Sequence, residues 1–161
     1  MAQTEQKNQN VKKQFEELQS LLERAMALQT SMVLFEWDDE TLAPKGAAEH
    51  TARVIGSLSE QYQEILASMR FKELLDVCLK AEKENAGVFD KVQSAILREA
   101  AEEQERLSCI PPEEYRKYSE LTSEGTRVWT EAKEKKDFDR FAPFLEEIIS
   151  YQKKFASYQA K

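Results

Sequence analysis

The sequence predicts an all-α protein, and three observations carry that prediction. Helix breakers are scarce, with four glycines and four prolines in 161 residues. Glu, Lys, Gln, Leu and Ala, which favour helix by intrinsic propensity, are abundant. Apolar residues recur at three- and four-residue steps, whereas β-branched residues never form the alternating run of a half-buried strand.

The first stripe is Val11, Phe15, Leu18, Leu22 and Ala25. After Leu28 it widens into Met32-Val33-Leu34-Phe35, apolar on all sides, which predicts a buried stretch of helix. Pro44 and Gly46 end that element. A second stripe, Ile55, Leu58, Tyr62, Ile65 and Met69, is followed by Phe71, Leu74, Leu75, Cys78 and Leu79, so two helices should meet near Ser68 to Arg70. Asn85 and Gly87 mark a turn. Phe89, Val92 and Ile96 then open a long helix, and its acidic second half, Glu99 to Glu105, reads as a solvated face.

That helix should end between Ser108 and Pro112, where Ile110-Pro111-Pro112-Glu113-Glu114 forms a strong helix start. Proline tolerates the first turn, and carboxylates suit the positive end of the helix dipole. The helix that follows carries Tyr115, Tyr118, Leu121, Val128, Trp129 and Ala132 and closes on Lys133, Lys135 and Lys136, with Asp137 placed to cap the next one. Phe141, Phe144, Leu145, Ile148, Tyr151, Phe155 and Tyr158 form the last stripe. About six helices in long antiparallel pairs result, and residues 1–161 read as a single helical region without repeats. Each heptad-like seam breaks within about three or four heptads, which favours a packed bundle over a coiled coil.

A net charge of -7 argues against nucleic acid or an anionic membrane as the main partner. The longest apolar stretch is far below the about 20 residues that span a bilayer. The polar N-terminus lacks an apolar signal core, so a cytoplasmic location is expected. Cys78 and Cys109 have no paired spacing and read as reduced, buried thiols.

The single histidine, His50, decides much of the chemistry. A helical zinc-peptidase site needs two histidines one turn apart with a glutamate between them, and a carboxylate-bridged di-iron site needs two Glu-x-x-His pairs. Neither can be built from one histidine. His50 itself, at a helix start, is expected on the solvated surface. The scattered glycines form no phosphate loop, and no catalytic and no metal-ligating residue is assigned to this chain.

One segment stands apart. Glu36-Trp37-Asp38-Asp39-Glu40-Thr41-Leu42-Ala43-Pro44 packs four carboxylates around a tryptophan at the C-terminal end of a helix. Negative charge there opposes the dipole at about 0.3–1 kcal/mol per poorly placed carboxylate. Either Trp37 is core and the carboxylates cap the helix that begins near Gly46, or a function offsets the conflict.

The same segment, Glu36 to Glu49, resembles the N-terminal signature of the thermostable zinc metallocarboxypeptidases of the carboxypeptidase Taq type. That signature runs Trp-Asp-x-x-Thr, then proline, then Gly-x-x-x-Arg. Here its positions are Trp37, Asp38 and Thr41, with Asp39 and Glu40 between them, then Pro44, and Arg53 as the basic residue. Pro111-Pro112-Glu113 resembles a family turn, and Trp129-x-x-Ala132-Lys133 a family Trp-x-x-Ala-Arg/Lys element. Asp137-Phe138-x-x-Phe141-Ala142-Pro143-Phe144-Leu145-Glu146 is similar to the family's Asp-Phe-x-x-Phe-x-Pro-Tyr-Leu-Glu.

The resemblance covers nearly the whole chain but only the N-terminal part of such an enzyme, which is all-helical, several times longer and commonly homodimeric. It implies a relative that removes C-terminal amino acids from peptides with zinc held by a downstream His-Glu-x-x-His helix and a further glutamate. None of those motifs occurs here, so the resemblance implies a groove wall or cap, without zinc of its own and inactive alone. The implied partner is the remainder of the fold, or a second copy, through an apolar face. The first helix begins a few residues after Met1, whereas the last stripe is still apolar close to Lys161, as expected of a portion of a larger core. A free-standing helical interaction or regulatory module of the same descent is the alternative; an unrelated bundle would have to match three ordered motifs.

Overall fold

The computed structural model describes residues 2–85 and 87–160, so Met1 and Lys161, on which the expectations about the two ends partly rest, lie outside the described residues. Six α-helices follow one another: α1 (Ala2–Thr41), α2 (Ala48–Ala67), α3 (Met69–Glu84), α4 (Lys91–Ser108), α5 (Pro112–Lys135) and α6 (Phe138–Gln159), with a 3₁₀ turn at Lys45–Ala47 before α2. No strand occurs among the described residues. The all-α prediction holds, and so do the junction near Ser68, the turn at Asn85 and Gly87, and the proline-led start of α5.

The helix ends follow from local chemistry. Ser68 is the N-cap of α3, its Oγ accepting from the Phe71 N–H at 3.2 Å. Asp90 caps α4: its Oδ1 accepts from the N–H groups of Val92 at 2.8 Å and Gln93 at 2.9 Å, while the Gln93 side chain accepts from the Asp90 N–H at 3.0 Å. This reciprocal pair satisfies donors that a bare helix start leaves open. It also moves the start of α4 past Phe89, which belongs to the preceding link and is buried there. Lys136 ends α5 in the left-handed region at φ 55. Asp137 occupies the N-cap position of α6 but makes no side-chain cap bond, so its expected capping role is corrected.

The helices form two compact units. The first comprises Met1–Met26 and Glu64–Ser108. Its buried residues include Val11, Phe15, Leu18 and Ala25 of α1, Phe71, Leu74, Leu75 and Cys78 of α3, and Leu97, Ala100 and Leu107 of α4. The Phe15 and Phe89 rings lie 5.0 Å apart. Arg70 binds both carboxylate oxygens of Glu17 at 2.8 and 2.6 Å, and Lys7 pairs with Glu84 at 2.8 Å. These pairs are exposed, so they contribute little beyond orientation. Glu99, Glu102 and Glu105 are exposed, as the acidic run predicts, whereas Glu103 is half-buried and pairs with Arg106.

The second unit comprises Ala27–Gln63 and Cys109–Lys161. Within it α5 and α6 run antiparallel, a register read from their contacts. Lys154 and Tyr158 meet Glu114, Tyr151 and Phe155 meet Tyr118, and Phe141 meets Trp129. Gly125 lets the two helices approach: a Cβ there would stand 3.2 Å from Ile148 Cδ1. Buried Gln63 donates from Nε2 to the Ile110 carbonyl at 2.6 Å, tying α2 to the entry of α5.

Two expectations of burial are corrected here. Val33, Leu34 and Phe35 are exposed, at 57%, 60% and 40%. Successive helical residues lie about 100° apart, so a run of four points all round the helix and one neighbour cannot cover it; only Met32 is half-buried. Cys78 is fully buried, and burial pushes its thiol up to about 11, but Cys109 is half-buried. Both are thiols.

Candidate functional site

The end of α1 is closed by backbone and hydroxyl hydrogen bonds and not by its side-chain carboxylates. The Asp38 carbonyl accepts from the N–H groups of Leu42 and Ala43, both at 2.9 Å, and Thr41 Oγ1 donates to the Trp37 carbonyl at 2.6 Å. The reading in which the acidic side chains cap the following helix is therefore corrected: Pro44 is the N-cap of the 3₁₀ turn, and no side chain bonds there. The reading of Trp37 as core is corrected too, because it is 57% exposed.

Three of the carboxylates instead share one face. Glu36, Asp39 and Glu40, at i, i+3 and i+4, line a hollow of about 200 Å³ with Thr122, Ser123 and Thr126 of α5. Burial first, and then the Glu40 carboxylate, push the Glu36 carboxyl above its ordinary value. An apolar hollow of about 300 Å³ adjoins it, lined by Thr122, Gly125, Thr126, Trp129, Phe141 and Ile148. The two share Thr122 and Thr126 of α5 as lining and so lie side by side within the second unit. The Trp129 and Phe141 rings stand 5.1 Å apart, tilted by 54°.

Among the residues singled out from sequence, the structure thus brings together Asp39 and Glu40, and separately Trp129 and Phe141. Asp38 and Thr41 serve the end of α1. Pro44 and Pro143 are exposed, the second inside α6. Arg53 pairs with Glu49 at 2.6 Å on an exposed face, and His50 is exposed as well. Sequence reasoning missed Thr122, Ser123, Gly125 and Thr126, and it read Ile148 only as part of an apolar stripe. The signal was present: Thr122, Gly125, Thr126 and Trp129 follow i, i+3, i+4 and i+7, and a mid-helix glycine costs about 1 kcal/mol unless packing requires it.

A third hollow, of about 540 Å³ in the first unit, is lined by Lys12, Glu16 and Asp90 among others. Its Asp90 already caps α4, and its charges are of both signs. Among the described residues no group of three or more His, Cys, Asp or Glu is placed to hold a metal ion. With one exposed histidine in the chain, the residues present do not fit a zinc centre. No helix of the described residues is long and apolar enough to cross a membrane.

Among the described residues these observations define an all-helical protein with an aromatic hollow beside a carboxylate-lined one and without a metal-ligand set. The family follows from comparison. Residues 17–161 match the model of the carboxypeptidase Taq (M32) metallopeptidases, and the chain belongs to that family. It is 36% identical over 141 residues to carboxypeptidase 1 of Bacillus subtilis, covering 86% of this chain and 27% of that one. It is 32% identical over 135 residues to thermostable carboxypeptidase 1 of Pyrococcus furiosus, covering 84% of this chain and 26% of that protein. The crystal structure of BsuCP superposes with a TM-score of 0.85 at 34% identity, over 92% of this chain and 29% of that one. The chain therefore spans about a quarter of the length of the curated relatives it matches.

Proposed function

We propose that this chain is the N-terminal helical portion of a zinc metallocarboxypeptidase that removes C-terminal amino acids from peptides, forming a wall or cap of the peptide groove and inactive without the remainder of the fold. The observation that carries this reading is the uncovered apolar surface on and just beyond the second half of α1. Val33, Leu34, Phe35, Trp37 and Leu42 are all exposed, and they fall inside the stretch that matches the family. Val33 and Trp37, one turn apart, share a face of α1, and large apolar side chains exposed together in this way mark a protein interface. The remainder of the carboxypeptidase fold is the partner that family membership supplies; a second copy of the chain is the other candidate for the same surface. The thiols of Cys78 and Cys109 suit a reducing, cytoplasmic location.

A chimera tests the proposal. In carboxypeptidase 1 of Bacillus subtilis, the matched quarter is replaced by this chain, and release of the C-terminal amino acid from a blocked dipeptide is followed with and without zinc. The chimera should fold and show zinc-dependent release. Placing glutamine at both Leu34 and Trp37 should lower that release while leaving the isolated chain as stable as before. A folded chimera that takes up zinc but releases nothing, or one indifferent to those two changes, contradicts the proposal.

A further inference from the structure

We propose that the apolar hollow of Trp129, Phe141 and Ile148, together with its carboxylate rim, is a docking site for a peptide segment carrying a large apolar side chain next to a lysine or arginine. Its cavity of about 300 Å³ is at the small end of ligand pockets and suits one aromatic or leucine side chain. Trp129 and Phe141 offer such a group tilted aromatic faces.

Charge complementarity selects the neighbouring residue of the partner. Glu36, Asp39 and Glu40 line the adjoining hollow, and among the described residues no lysine, arginine or histidine lines either one. The threonines between them add acceptors. Thr122 Oγ1 shares its one hydrogen between the carbonyls of Tyr118 at 3.0 Å and Ser119 at 3.1 Å, and Thr126 Oγ1 donates to that of Thr122 at 3.0 Å. Their hydroxyl hydrogens are thereby committed to α5, and lone pairs remain for a ligand. A site of acceptors matches an ammonium or guanidinium group, which has several donors and no acceptor. Burial first, and the neighbouring Glu40 carboxylate second, raise the Glu36 carboxyl, and a cation bound beside the pair offsets the second of these.

The full chain is titrated calorimetrically with acetyl-alanyl-phenylalanyl-arginyl-alanine amide and with two analogues, one carrying glutamine for the arginine and one carrying alanine for the phenylalanine. The parent peptide should bind, each analogue about tenfold more weakly, and binding should weaken as salt rises. The double variant Asp39→Asn, Glu40→Gln, which changes only charge at the rim, should bind the parent peptide about tenfold more weakly while its thermal midpoint is no lower than that of the unaltered chain. No binding of the parent peptide, equal binding of the arginine-free analogue, or unchanged affinity in the rim variant overturns the proposal.

Discussion

Replacing Phe71 by alanine lowers the unfolding free energy of this chain by about 3–5 kcal/mol, the range found when a buried phenylalanine is truncated. Phe71 is fully buried at the start of α3, and its own N–H is the group held by the Ser68 cap. The truncation removes apolar area and leaves a void among Leu74, Leu75 and the other buried residues of the first unit, which a close-packed interior cannot wholly refill. Phe71→Leu, which keeps most of the volume, costs far less. Denaturant titration of the three proteins measures both differences. A loss below about 1 kcal/mol for Phe71→Ala would mean that α3 is not packed as described.

The second large effect is at Gln63, whose amide is fully buried and donates to the Ile110 carbonyl. Gln63→Ala removes that donor and its volume, and a buried carbonyl left bare costs about 1–3 kcal/mol. Gln63→Glu gives the same position a pH dependence. Burial, and a carbonyl oxygen facing the new carboxyl, disfavour its ionised form, so its folded pKa rises above the unfolded value. Below the ordinary glutamate range the group is protonated in both states and adds no ionisation penalty. As pH rises through the unfolded value, stability falls by up to about 1.4 kcal/mol per pH unit, until the folded carboxyl also ionises. Thermal midpoints between pH 4 and 8 should therefore diverge from those of Gln63→Leu, which carries no charge. Parallel curves for the two variants would show that residue 63 reaches water.

How far the sequence carries the fold is plain in these two residues. Phe71 sits in a stripe whose spacing predicts burial, because a helix facing one neighbour has a periodic apolar side. Gln63 lies between Tyr62 and the next apolar position, and nothing in a polar residue type announces that a carbonyl 47 positions away will satisfy it. The same limit explains Met32 to Phe35. Composition records that four residues are apolar, but exposure depends on which neighbours are present, and only Met32 is partly covered by this chain. Helix starts were legible where one residue carries the signal, as at Pro111-Pro112. At Asp90 the signal was split between two side chains three residues apart.

The site was legible in halves. Asp39 and Glu40 stand out because their charge opposes the helix dipole, and Trp129 and Phe141 because they belong to family-like motifs. Their convergence on Thr122 and Thr126 depends on the packing of α1, α5 and α6 within the second unit, and no spacing along one helix encodes it. Gly125 is the residue whose burial makes that packing possible, since any side chain there would press on Ile148.

We propose that this chain is the non-catalytic portion of its family's fold. The most direct measurement is the release of the C-terminal amino acid from a blocked dipeptide by the purified chain alone, in the presence of zinc and at high protein concentration. No release above the uncatalysed rate is expected. Turnover that a chelator abolishes and added zinc restores would contradict it.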